Sequence, residues 1–231
     1  MRVRIASGGL LAVTICSFAP AALAGQTIPS PFRYVETRQE VGVFFGHTAA
    51  AKGRFGFGPG GGLRAGVRWG IDLSGPLGFE TVAGVIRGKR DVINPNRLEG
   101  DRKIGEEDSM LGTVDARLRF TFTGERSWHG LSPYIVAGGG LVFDLSNPGA
   151  LDQELDQDNR FNFGTSFLGT FGAGSRFYLT DRLALRGDAV FSLWKLDTPP
   201  GFSDPTLDIP SVSKSEWASA THFTLSAVIR F

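Results

Sequence analysis

Eight stretches of the chain alternate apolar and polar side chains with a period of two, the repeat of a β-strand that shows its two faces to different surroundings. The clearest runs from Leu63 to Leu73. Leu63, Ala65, Val67, Trp69, Ile71 and Leu73 form one face, and Arg64, Gly66, Arg68, Gly70 and Asp72 form the other. A helix would bring its apolar residues together every three to four positions, and this segment does not. The same reading predicts a first strand over Gln39 to His47, with Val41, Val43 and Phe45 outward and Glu40, Gly42, Phe44 and Gly46 inward. A third covers Phe79 to Arg87, and a fourth covers Met110 to Phe122, with Asp115, Arg117 and Arg119 inward. Tyr134 to Phe143 is the fifth, with Ile135, Ala137, Leu141 and Phe143 outward. The sixth is long, Phe161 to Leu179, and sends out Phe161, Phe163, Phe167, Phe171 and Phe177. Leu183 to Trp194 and Thr221 to Phe231 complete the set.

The connections alternate in length. Ser74 to Gly78, Thr123 to Ser132 and Thr180 to Arg182 are short, whereas His47 to Gly60, Gly88 to Ser109, Asp144 to Arg160 and Lys195 to Glu216 are long. That is the layout of an antiparallel up-and-down transmembrane β-barrel of eight strands, with short turns and both termini expected in the periplasm. Aromatic residues gather near strand ends, as interfacial girdles require: Trp69, Phe79, Phe120, Phe122, Phe177 and Phe231 toward one side, Phe45, Phe143, Phe161, Trp194 and Trp217 toward the other.

Composition supports a barrel over a helical membrane protein. Past the N-terminal region no apolar run reaches the ~20 residues of a spanning helix, and the chain carries 32 glycines and 19 phenylalanines. The N-terminus itself has a basic start at Arg2 and Arg4, an apolar stretch from Gly8 to Leu23, and Ala22-Leu23-Ala24 before Gly25. Residues 1–24 therefore read as a cleavable export signal, with cleavage expected after Ala24. Residues 25–35 are expected to be a periplasmic N-terminal segment and 36–231 the barrel. Cys16 is the only cysteine, so the exported chain would have neither disulfide nor thiolate chemistry. With 24 basic against 23 acidic residues, no net field points to nucleic acid as a partner.

Several segments resemble the eight-stranded OmpA-like and OmpX-like barrels. Pro133-Tyr134-Ile135-Val136-Ala137-Gly138-Gly139-Gly140 is similar to their proline-tyrosine-glycine strand. The segment from Gly172 to Asp188 resembles their glycine-rich strand, tight turn and following strand with an inward basic and acidic pair. The C-terminal Phe-Thr-Leu-Ser-Ala-Val-Ile-Arg-Phe resembles the signal that the barrel-assembly machinery reads at a terminal aromatic, here Phe231. The resemblance covers most of residues 36–231 and implies outer-membrane lipids and lipopolysaccharide as surroundings. With Phe231 as its last residue the chain is expected to lack a peptidoglycan-binding domain after the barrel, like the barrel-only relatives. Such scaffolds serve as anchors, adhesins and enzymes alike, so the resemblance speaks to architecture.

The inward positions hold Arg64, Arg68, Arg117, Arg119, Arg176, Arg186 and Arg230 against Glu40, Asp72, Glu80, Asp115 and Asp188. They suit an ion network filling a narrow barrel better than an anion path. Inward glycines, including Gly66, Gly70, Gly84, Gly172 and Gly174, would give long side chains room. Asp144, Asp152, Glu154, Asp156 and Asp158 in the third long connection lack the spacing of a calcium loop and read as a solvated acidic loop. Gly53 to Gly62 lacks the Lys-Ser/Thr ending of a phosphate loop and reads as a flexible surface loop. The histidines are His47, His129 and His222. His222-Phe223-Thr224 resembles the His-x-Ser pair of lipid A deacylases, with Thr224 in place of serine, but no complete triad assembles. The expected function is that of a monomeric, non-enzymatic barrel without metal or cofactor, whose extracellular loops serve adhesion, surface interaction or envelope integrity. A lipid A acyl hydrolase and a small-solute channel are the alternatives.

Overall fold

A strand with one apolar and one polar face leaves its edge groups unpaired, and in lipid the way to pair them all is to close the sheet on itself. The structure, a computed structural model, describes residues 30–231 apart from 148, 208 and 210. The predicted signal, its cleavage position and most of the predicted N-terminal segment lie outside the described residues. The strands are β1 (Phe32–Tyr34), β2 (Gln39–Ala50), β3 (Pro59–Ser74), β4 (Leu77–Ile93), β5 (Lys103–Thr121), β6 (Arg126–Trp128), β7 (Leu131–Asp144), β8 (Thr165–Tyr178), β9 (Leu183–Asp197) and β10 (Ser215–Arg230). Eight of them, all but β1 and β6, form an antiparallel ring in chain order, closed by β10 on β2 from Ala220↔Ala50 to Arg230↔Glu40.

The faces follow the predicted parity. Val67 is 54% exposed and its neighbour Arg68 is 3% exposed. On β10, Phe223, Leu225 and Ile229 are exposed while His222, Ser226 and Arg230 are buried. The expected fifth-strand facing also stands, with Ile135 and Leu141 exposed and Tyr134, Val136 and Val142 buried.

Four expectations need correction. The second long connection is largely strand: pairing of β4 with β5 continues through Arg90↔Glu107 and ends at Ile93↔Lys103, so a tall hairpin replaces most of the loop from Gly88 to Ser109. Phe161 and Phe163 precede β8 and turn inward, and Phe163 is buried in the apolar core with Phe161 packed against it. Trp194 is no girdle residue; it lies on the inward face of β9 and is fully buried. Gly53 to Gly62 is partly strand, from Pro59 onward, and the rest folds over the barrel mouth with Phe57 buried. Phe57, Phe161 and Phe163 lie past the barrel rim, where chain returning over the mouth gives apolar side chains an interior to enter, and Trp194 keeps the inward parity of β9 that also encloses Arg186 and Ser192.

One pairing was not foreseen. β1 forms a ribbon with β6, Phe32 opposite Trp128 and Tyr34 opposite Arg126, at the end of the barrel that carries the short turns. The Tyr34 hydroxyl donates to the Glu125 carboxylate at 2.8 Å, and that bond raises the phenol above its ordinary titration range.

Candidate functional site

The barrel interior is built in two tiers. At the turn end, inward residues of all eight ring strands make one charge network. Glu40 on β2 accepts from Arg119 at 2.7 Å, Arg176 at 3.1 Å and Arg186 at 3.3 Å. Glu80 on β4 accepts two bonds from Arg186, at 2.6 and 3.0 Å, and one from Arg119 at 3.2 Å. Asp188 takes Arg186 and, at 2.9 Å, Arg68, and also accepts the Tyr134 hydroxyl at 2.5 Å. Arg117 is bound by Asp115 two residues away on its own strand. At the outermost level of this turn end Arg230 donates to Asp72 at 2.7 Å and to the Tyr178 hydroxyl at 2.8 Å. Glycine makes this tier possible: a Cβ at Gly174 would fall 2.3 Å from the Tyr134 hydroxyl, so the tyrosine reaches Asp188 only across a bare backbone.

Above the network the polarity drops. Arg64 donates to Thr113 and lies over the Phe44 ring. His222 sits between the Thr48 hydroxyl and the Ser192 hydroxyl, 2.8 Å from each. Next comes an apolar tier of Ile86, Leu111, Val142, Leu168, Trp194 and Ala220, all buried. Rings from three different connections close it: Phe57 meets Phe161 at 4.9 Å and Phe202 at 5.4 Å between centroids, and Phe202 meets Phe55 at 5.0 Å.

The connections are themselves tied down. Arg90, inward on the β4 extension, binds Asp152 of the short helix α1 (Ala150–Gln153) and approaches Glu107. Glu107 accepts the Leu151 backbone N–H at 2.7 Å. The third connection is therefore not simply a solvated acidic loop, since Asp152 is buried and paired. Glu216 accepts the Arg54 backbone N–H and so holds the first connection against β10. In the fourth connection the Thr206 backbone N–H and hydroxyl both donate to Asp204 and hold its carboxyl below the usual range.

The residues singled out for chemistry are dispersed. His47 is exposed on the outer wall of β2, His129 lies in the β6–β7 turn at positive φ, and His222 is sealed inside. Thr224, two residues on, also points inward and contacts Asp188 at 3.5 Å. Ser192 and His222 make a serine–histidine contact, yet both are buried and the third member of the row is Thr48, not a carboxylate. Among the described residues no group of three or more His, Cys, Asp or Glu side chains is placed to hold a metal ion. Arg90 and the aromatic cover went unnoticed in the sequence. Arg90 was within reach, because continuing the inward parity of Ile86 and Gly88 arrives at it.

Comparison with known proteins bears on fold. No family model matches the chain, and no curated protein does. Among solved structures, the crystal structure of Neisserial surface protein A aligns with a TM-score of 0.53 at 13% identity, over 84% of this chain and 97% of that one. Outer membrane protein AlkL aligns at a TM-score of 0.47 and 17% identity, over 84% of this chain and 90% of AlkL. The outer membrane enzyme PagL aligns at 0.39 and 16%, over 83% and 99% respectively. The likeness to Neisserial surface protein A, at 13% identity, is one of fold: the chain has the architecture of the eight-stranded outer-membrane barrels.

Proposed function

We propose that the protein is a non-enzymatic barrel of the Gram-negative outer membrane that acts through its extracellular connections, in adhesion, surface interaction or envelope integrity. In this reading the chain is exported with loss of residues 1–24, inserted by the barrel-assembly machinery through its last strand, and resides as a monomer among lipopolysaccharide. The short turns face the periplasm and the long connections face outward, the arrangement usual for such barrels. The observation that carries the proposal is the filled interior. An ion network occupies the turn end, an apolar tier occupies the loop end, and Phe57, Phe161 and Phe202 cover the top. A solute path would have to break both tiers. A hydrolase would have to bring the buried Ser192–His222 contact to a lipid substrate, and among the described residues the other ring nitrogen of His222 meets the Thr48 hydroxyl rather than the acid that orients such a histidine.

Reconstituted protein in a planar bilayer is expected to show no stable conductance steps of porin size. Reproducible anion-selective steps lost on Arg117→Ala and Arg119→Ala would replace this reading with a channel. A change in lipid A mass on expression, abolished by Ser192→Ala, would replace it with an acyl hydrolase.

A further inference from the structure

On the outer wall β4 presents Leu77, Phe79, Thr81, Ala83 and Val85, apolar but for the threonine, and the next two outward side chains are Arg87 and Lys89. Its neighbour β5 turns at the same height, from Leu118, Val114 and Met110 to Asp108. About ten residues at ~3.4 Å each, tilted ~35–45°, climb roughly 25 Å, the height of the apolar band of an outer-membrane barrel. Arg87 and Lys89 therefore stand where the headgroups of the loop-side leaflet begin.

They border a groove of about 900 Å³ lined also by Lys52, Gly60, Gly61 and Asp108. Its floor is bare backbone at a bulge in β3, where pairing with β4 skips from Pro59↔Arg90 to Gly62↔Gly88. A Cβ at Gly61 would fall 2.0 Å from the Thr48 carbonyl oxygen of β2, so position 61 admits no side chain. The cations around it are unequally engaged. Lys52 is committed to Asp91 at 2.9 Å. Lys89 has its nearest carboxylate, Glu106, at 4.0 Å. The Arg87 backbone is paired in the sheet, but its guanidinium has no hydrogen-bonding or ion-pair partner among the described residues. Elsewhere the guanidinium groups near this rim are bound, as Arg90 is by Asp152. An arginine with an unpaired guanidinium, beside a lysine held only by a 4.0 Å ion pair to Glu106 and at headgroup height over glycine backbone, is a receptor for a phosphate monoester, which guanidinium recognises with paired hydrogen bonds.

We propose that this groove seats a phosphate of a phosphorylated glycolipid of the outer leaflet, with Arg87 and Lys89 as its ligands. Asp108, opposite Lys89 across the ladder, limits how much negative charge fits and favours a single phosphate. The inference rests on the outward orientation of the long connections, which can be checked separately: with Asn96→Cys in the β4–β5 turn, an impermeant thiol reagent should label intact cells. Failure to label would take the groove out of the outer leaflet and overturn the assignment.

For the binding itself, the full chain is refolded into phosphatidylcholine nanodiscs carrying trace bis-phosphorylated lipid A, and retained glycolipid is measured by native mass spectrometry. Wild type should retain roughly tenfold more than Arg87→Ala/Lys89→Ala, the loss of about one charge-assisted contact. Lys195→Ala, which removes an exposed cation from β9, should bind as wild type does. Lipid A stripped of phosphate should be held as weakly as by the double variant, and millimolar inorganic phosphate should not displace the glycolipid. Equal retention by wild type and double variant, or of phosphorylated and dephosphorylated lipid, would overturn the proposal. Displacement by inorganic phosphate would reassign the groove to soluble anions. Heat-modifiable migration in gels verifies that each variant is folded; if the alanine pair is not, Arg87→Gln/Lys89→Gln replaces it.

Discussion

The two ends of the barrel interior are filled by opposite means. At the turn end, Arg119, Arg176 and Arg186 converge on Glu40, and Arg186 also reaches Glu80; at the loop end, Trp194 lies among Ile86, Leu111, Val142 and Leu168. Both tiers come from the same inward parity of the same strands. What differs is the chain available above them. Among the described residues the short turns and the β1–β6 ribbon, whose Phe32, Tyr34 and Trp128 stay exposed, bury no ring in the barrel, so its lower lumen is filled mainly by side chains long enough to cross it, and arginine has that reach. The long connections return over the rim and deliver Phe57, Phe161 and Phe202, so the upper lumen can be closed without charge. The tiers should also differ in energetic character. A buried ion cluster contributes little net stability but is costly to break, because removing one partner leaves another charge unpaired. An apolar tier loses in proportion to the area and volume removed.

The largest expected effect tests the charged tier. Glu80→Gln preserves shape and removes the charge that Arg186 and Arg119 face, and it should cost about 3–5 kcal/mol. Urea unfolding of protein refolded in lipid vesicles measures it. A loss under about 1 kcal/mol would mean that Asp188 and Glu40 compensate Arg186 fully and that the network is redundant.

A second effect separates inside from outside on one strand. Val67 faces lipid near mid-strand and Arg68 faces Asp188 at 2.9 Å. Val67→Arg should cost about 2–4 kcal/mol by the same measurement, the range for a basic side chain at the bilayer midplane. Val67→Thr should be tolerated. Unchanged stability of the arginine variant would mean that Val67 lies closer to a headgroup region than its place on β3 indicates.

The contrast between the tiers also explains what the sequence revealed. The charged tier was legible because arginine and carboxylate stand out against apolar neighbours: Arg64, Arg68, Arg117, Arg119, Arg176, Arg186 and Arg230 were assigned inward, and each is buried. The apolar tier was much harder to read. Where Leu168 and Trp194 point in while Phe167 and Leu193 point out, both faces are apolar and alternation carries no signal. Phe161 and Phe163 fit an outward parity by number, and only the return of their segment over the mouth turns them inward. The height of the β4–β5 hairpin was missed for the converse reason. Charged residues crowd both of its faces from Arg87 to Asp91 and from Glu106 to Asp108, so the pattern stops although the pairing does not. The candidate groove straddles that boundary, which is why neither Arg87 nor Lys89 declared itself in the sequence.

The smallest expected effect is also the sharpest test of the difference between tiers. Trp194 is fully buried, and its indole N–H has no hydrogen-bond partner among the described residues. A buried donor left unsatisfied costs roughly 1–3 kcal/mol, whereas trimming an indole to a phenyl ring loses a comparable amount in buried area and packing. Trp194→Phe should therefore change stability by less than about 1 kcal/mol. Glu80→Gln and Trp194→Phe each alter one fully buried side chain, yet the first conserves shape and strands a charge, whereas the second trims a ring and removes a polar mismatch. If Trp194→Phe instead destabilised the barrel as much as Glu80→Gln does, the indole N–H would have to be bonded, most simply to a buried water. The loop-end tier would then be polar at its centre, and the division of the lumen into a charged end and an apolar end would fail.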